Sequence, residues 1–258
     1  MLVREVNSWK LWKEIIPDLM AERPAGHAND GYVSDLLFRG HRCARWYLES
    51  TLERKGIELP DLDSYARQIK AVKLAFESYF GSSWSSDFTA SDAPAPPENY
   101  EFMVYLRHHG YPTPLLDWTR SPYVASFFAF QYPSSEESVA VFSFREYAGE
   151  TKGGWTGDSN IVGCGPTIRT HKRHYAQQAE YTYCRKKVDE KWVSSGHEEA
   201  LKETGTGQDV LRKYVLPASI RSEVLAELDS MNINAYTLFG SEEGLAEMLA
   251  NREYSYGA

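Results

Sequence analysis

"HHGYPTPLLDWTRSPYVASFFAF", residues 108–130, is the stretch on which the fold turns. Gly110, with Pro112 just beyond it, ends the helix that precedes it. Ser121-Pro122 begins another, because a hydroxyl can cap the free N–H groups of a first turn and proline is tolerated there. The new helix carries Val124, Phe127 and Phe128 on its inner face and is so apolar that it must be interior. Residues 111–120 read as a loop that presses Asp117, Trp118 and Thr119 against this buried segment. An acid so close to a helix N-terminus either helps to cap it or faces a ligand, and Trp118 either fills the core or meets the same ligand.

Upstream, Trp9, Trp12, Ile15, Ile16 and Leu19 recur at helical spacing after Asn7-Ser8, so residues 8–21 form an amphipathic helix. "YVSDLLFRG" at 32–40 is a short strand with Arg39 at or just past its end. Tyr65, Ile69, Val72, Phe76 and Tyr79 share one face of a helix over 62–81, closed by Gly81. Residues 82–98 read as a loop, and Glu98 or Asn99 starts a helix carrying Phe102, Met103 and Leu106. Downstream come a strand at 138–144, a Gly-rich loop over 146–168, and a strand "EYTYCRK" at 180–186 with Tyr181 and Tyr183 on one face. Strand "VLRKYVLP", a helix over 219–231, a strand "AYTLF" and a helix over 242–251 capped by Ser241 complete the chain. The order fits an α+β class and not a regular βαβ alternation.

The 258 residues, 42% hydrophobic and 14% aromatic, suffice for one domain with a sizeable core. No apolar run approaches the length that spans a bilayer, so no membrane association is expected. Three cysteines with no close pairing, and a start without a basic region and apolar run, place the chain in a reduced, cytoplasmic setting. The net charge is −8, yet Arg169 to Lys187 holds six cations against Glu180 alone, a net +5 that leaves −13 elsewhere. Lys172, Arg173, Arg185 and Lys186 there form either a solvated face or a wall for a polyanion such as nucleic acid. His108-His109 and His171 with His174 lack a cysteine or carboxylate at matching spacing, so no metal site is expected. Neither a cysteine–histidine pairing nor a nucleophile elbow is legible.

Phe38-Arg39-Gly40 followed by His41, then Arg107 with the opening stretch, then "HYAQQAEYTY", then "YVLPASIRSEVLAELDSMNINAYTLFGSEEGLAEML" together resemble the FRG domain family of bacterial proteins, over most of residues 8–250. Two departures stand out. The family's Thr-Arg-Leu-Leu is Thr113-Pro114-Leu115-Leu116 here, so that arginine's role is absent or passes to Arg120. Its Ala-Gln-x-Gly-x-Phe is Ala176-Gln177-Gln178-Ala179-Glu180-Tyr181. More distantly, the order of Arg39, then Thr119 before the Val124–Ala129 helix, then Gln178-Ala179-Glu180 is similar to that in ADP-ribosyltransferases.

That second resemblance implies a split mixed or antiparallel sheet with flanking helices in a single domain spanning 1–258. It also implies NAD as substrate and no metal. Glu180 becomes the carboxylate that stabilises an oxocarbenium-like centre, Gln178 orients the acceptor from the same strand face, and Arg39 holds a phosphate or ribose oxygen. Gly40, His109, Asp117, Trp118, Thr119 and Tyr181 complete the expected NAD site, with Tyr181 or Trp118 stacking on nicotinamide. The acceptor is RNA, DNA or protein. FRG relatives often sit in toxin–antitoxin or phage-defence modules, which implies an antitoxin partner. A non-catalytic nucleotide- or RNA-binding module and an NAD glycohydrolase remain alternative readings.

Overall fold

The computed structural model describes residues 1–22, 32–59, 61–81, 83–84, 97–148, 159–165, 168, 170–203 and 209–255. In chain order the elements are β1 (Leu2–Glu5), α1 (Trp9–Ala21), β2 (Tyr32–Val33), β3 (Leu37–His41), α2 (Thr51–Arg54), α3 (Leu62–Phe80) and α4 (Tyr100–His108). Then follow β4 (Leu116–Thr119), α5 (Pro122–Phe130), β5 (Ser138–Arg145), β6 (Tyr147–Ala148), β7 (Asn160–Gly163), α6 (Arg173–Ala176), β8 (Ala179–Val188), β9 (Lys191–Ser194) and α7 (His197–Glu203). The chain ends with β10 (Val210–Pro217), a 3₁₀ turn (Ala218–Ile220), α8 (Arg221–Ser230), α9 (Ala235–Phe239) and α10 (Glu242–Tyr254).

The main sheet runs β1-β10-β5-β3-β4-β8-β7, with β9 added to the far end of β8. Among the described strands the β1–β10 ladder is parallel and every other pair antiparallel, so the sheet is mixed. β2 and β6 form a separate two-stranded ribbon. No helix among the described residues is long and apolar enough to cross a membrane.

Alternation along the strands sorts the core into three clusters. Val139 and Val141 of β5 and Phe38 of β3 face a cluster built with α1, α5 and α8. Ala140, Phe142 and Phe144 point the other way, with Leu37, Trp118 and Cys184, toward Ala200 of α7. On the β8 side, Ala179, Tyr181 and Tyr183 pack with α3 and α4. Both faces of β8 are therefore buried, and not only the tyrosine face that alternation picks out. The α1 stripe is buried as the spacing demands, and its indoles are also satisfied: Trp9 Nε1 donates to Glu227 at 2.9 Å and Trp12 Nε1 to Ser126 Oγ at 3.0 Å. Seven of the nine α5 residues are buried, as an all-apolar helix requires, and Ser121 caps it by accepting from the Val124 N–H.

Four elements differ from their sequence reading. "AYTLF" is helix α9, held by a capping box between Asn234 and Thr237 and closed by Gly240 at φ 61°. The 111–120 loop contains strand β4, and the 146–168 loop contains β7, buried over its first three residues. The strand read over 32–40 is two strands, with Arg39 at the centre of β3. The last predicted inward residue of α3, Tyr79, is 83% exposed, because the helix outruns the core beneath it. Residues 82 and 85–96 of the predicted 82–98 loop lie outside the described residues, as do 149–158 and 166–167 of the predicted 146–168 loop and Arg169.

Candidate functional site

β3 and β4 share a single register pair, Phe38↔Thr119, whereas β3 pairs with β5 over five residues. Beyond that pair a side chain takes over the bonding: Arg39 Nη1 donates to the main-chain carbonyl of Asp117 at 2.6 Å and to its Oδ2 at 3.2 Å. A cleft of about 960 Å³ opens here, lined by both strands, the segment after β3, α4, and the starts of α6 and β8.

Its electrostatics are lopsided. Arg39, Arg42, Arg45, Arg54, Arg107 and Arg173 line it, against the carboxylates Glu49 and Asp117. In a chain with net charge −8 this concentrates positive charge where a ligand can reach it. Arg107, from the last turn of α4, contacts Asp117 Oδ1 through Nε, so Asp117 is clamped by two guanidiniums while its side chain stays 42% exposed. Burial lowers the pKa of Arg39 to about 10 and that of Arg107 to about 9, which leaves both charged at pH 7. Arg39 Nε donates to His41 Nε2 at 3.0 Å, and its Nη2 has no partner among the described residues. Arg173 Nε is buried with no hydrogen-bond partner among them. Arg39 Nη2 is therefore a cationic donor that the described residues leave unused.

The cleft gathers most of the expected residues, but several are engaged in holding the fold. Gly40 is required by packing: a Cβ there would lie 1.9 Å from the Ala125 carbonyl oxygen and 2.6 Å from the Ala129 nitrogen, so β3 lies directly on α5. Thr119 Oγ1 donates to the Gln177 carbonyl at 2.7 Å and accepts from Ser121 N–H at 3.1 Å. Trp118 stacks on Phe144 and donates to Thr182 Oγ1 at 2.8 Å. Tyr181 is buried, its hydroxyl 3.1 Å from His108 Nε2 and 3.4 Å from His174 Nδ1. Desolvation, with the nearby Arg173 and Arg107, pushes His108 down to about 3, so its ring is neutral at pH 7. Asp117 is not the α5 cap, because Ser121 fills that place.

Glu180, Gln178 and His109 do not line the cleft. Glu180 is buried and held by Arg120 Nε; Arg120 also pairs with Asp35 at 3.0 Å. Burial raises the Glu180 pKa, and Arg120 offsets part of that rise. Gln178 sits at φ 48° in the turn before β8, so it does not share a strand face with Glu180, and the glutamine that lines the cleft is Gln177. His109 is exposed at the end of α4, its ring 4.5 Å from Tyr105, while its neighbour His108 faces in. Of the described residues in the basic run, only Arg173 lines the cleft. Lys172 is exposed outside it, Arg185 lies over Trp192 at 4.2 Å, and Lys186 pairs with Glu199 at 3.1 Å.

Residues 34–138 match the FRG domain family. No curated protein and no solved structure matches the chain. The matched FRG segment begins just before β3 and ends as β5 starts, so it supplies Arg39, Arg107, Asp117 and all of α5. The segments "HYAQQAEYTY" and "YVLPASIRSEV…" lie outside it, so Arg173, Gln177 and Tyr181 come to the cleft from beyond the FRG segment. The sequence gives no site role to Arg107, Arg54 or the Arg42–Tyr47 segment. Arg107 carried only the weak signal of a cation in a last helical turn.

Proposed function

We propose that the cleft binds NAD and that the protein transfers ADP-ribose from it to a macromolecular acceptor. The observation that carries this reading is the set of six arginines lining one cleft, with Asp117 as its central carboxylate. NAD fits the donor set: two phosphates meet the guanidiniums of Arg39 and Arg173, which line the cleft, Arg39 Nη2 having no partner among the described residues, and Arg54 lines the same wall. When bound, NAD supplies a ribose–nicotinamide bond whose cleavage develops positive charge at the sugar. In this arrangement Asp117 and not Glu180 is the carboxylate that faces that charge, and Arg39 and Arg107 fix its orientation. Glu180, tied to Arg120, is a structural ion pair.

One feature of the same site favours a second reading, a nucleotide-binding module without turnover. With two guanidiniums on Asp117, little of its negative charge remains for a developing cation.

Incubation with NAD labelled in the adenylate, followed by separation of protein, RNA and DNA, distinguishes the readings. Transfer of label that falls about 100-fold or more in Asp117→Asn, yet survives in Glu180→Gln, is the expected result. Saturable binding without transfer establishes the module, and free nicotinamide without a labelled acceptor establishes a glycohydrolase. Circular dichroism of each variant reports that the fold is kept.

A further inference from the structure

The segment that leaves β3 has an unusual exposure pattern. Cys43 and Leu48 are buried, while Arg42, Arg45, Trp46 and Tyr47 between and beside them stand out, with Trp46 46% and Tyr47 67% exposed. The backbone that presents them is pinned: Ala44 N–H donates to the Ser138 carbonyl at 3.0 Å, Trp46 N–H to Cys43 at 3.2 Å, and Leu48 N–H to Glu198 Oε1 at 3.0 Å. The Arg42 guanidinium lies 5.1 Å from the centre of the Trp46 ring. Arg45 pairs with Glu136, but its side chain is 77% exposed, so the pair is worth little and is easily exchanged for a phosphate.

Tyr132, also lining the cleft, is 52% exposed just past α5. Its mount is equally fixed, because Arg221 donates to the Phe130 carbonyl at 2.9 Å and to the Gln131 carbonyl at 2.8 Å, and Gln131 Nε2 donates to Glu247. Single exposed aromatics are ordinary on a protein surface. Three on rigid backbone around one cleft, interleaved with arginines, are a stacking platform.

Single-stranded nucleic acid is the partner of that chemistry. Its unpaired bases offer faces to aromatic rings and its backbone offers phosphates to guanidiniums, whereas a duplex keeps its bases stacked inside. On the basic strand β8, Lys186 and Lys187 are paired with Glu199 and Glu190, and the rings beside Arg185 are the buried Tyr183 and the half-buried Trp192, which line no part of the cleft.

We infer that the mouth of the cleft is a track for single-stranded nucleic acid, with bases on Trp46, Tyr47 and Tyr132 and the backbone on Arg42 and Arg45. As the identity of the acceptor, this rests on the reading of the inner cleft as the NAD site.

The test is fluorescence anisotropy of the full chain with labelled oligonucleotides about 12 nucleotides long, single-stranded and duplex, beside calorimetric titration with NAD. The expected result is single-strand binding that weakens with salt and falls about tenfold or more in Trp46→Ala/Tyr47→Ala, with the melting temperature unchanged. Equal affinity for duplex, or unchanged affinity in the double variant, overturns the track. NAD binding without oligonucleotide binding overturns the track and leaves the NAD site standing. Oligonucleotide binding lost in the double variant, with no NAD binding, upholds the track and overturns the NAD reading.

Discussion

At the scale of single residues, Gly40 shows how a motif position is fixed by packing. The Ala125 carbonyl occupies the space a side chain would need, and both partners are backbone, so neither can move aside. Gly40→Ala is expected to cost about 3 kcal/mol, read as a melting temperature lower by about 6–12 °C. A variant that melts with the wild type contradicts the β3–α5 contact. Its neighbour Arg39 was legible as a site residue through the Phe38-Arg39-Gly40 motif of the resemblance, although its place at the centre of β3, and not at a strand end, was not. Arg107 and Arg54 were not legible: one sits in a helical turn and the other in a four-residue helix, and nothing in their spacing says that the chain brings them to one cleft. Glu180 stood out as the one acid in a basic run. The structure explains that prominence by its tie to Arg120.

At the scale of elements, the long periodic helices were readable and the short pieces were not. α1 and α3 carry enough turns for a stripe to emerge, and α5 declares itself by its apolar run after Ser121-Pro122; Ser8, Asp61 and Ser121 cap the three. β4 has four residues beside two prolines, and its identity comes from pairing with β8, which no local pattern reports. "AYTLF" failed for the opposite reason: five β-prone residues read as a strand, while the capping Asn234, three residues before Thr237, decided for a helix. The single β3–β4 register pair, which opens the cleft, belongs to neither strand alone. That is why the sequence could carry the residues of the site without its shape.

At the scale of the whole molecule, the buried His41 and His197 and the half-buried His108 tie stability to pH. Burial pushes His108 and His197 down to about 3 and His41 well below its ordinary range. Each stays neutral in the folded chain but protonates near pH 6.5 once unfolded. Between about pH 6.5 and 3 the unfolded state thus binds more protons, and stability falls with falling pH by up to about 1.4 kcal/mol per unit for each histidine. Urea midpoints taken between about pH 7.5 and 5 should drop, and less so in His197→Gln; a flat profile contradicts neutral burial.

The same scale holds the central claim, that a chain with a net negative charge has collected its arginines at the point where the sheet parts in order to hold a nucleotide. Calorimetric titration with NAD tests it most directly. Saturable binding that weakens with added salt, and by about 10- to 100-fold in Arg39→Ala and in the less buried Arg54→Ala, is the predicted result. No binding to the wild type, or equal affinity in both variants with the fold intact, contradicts it.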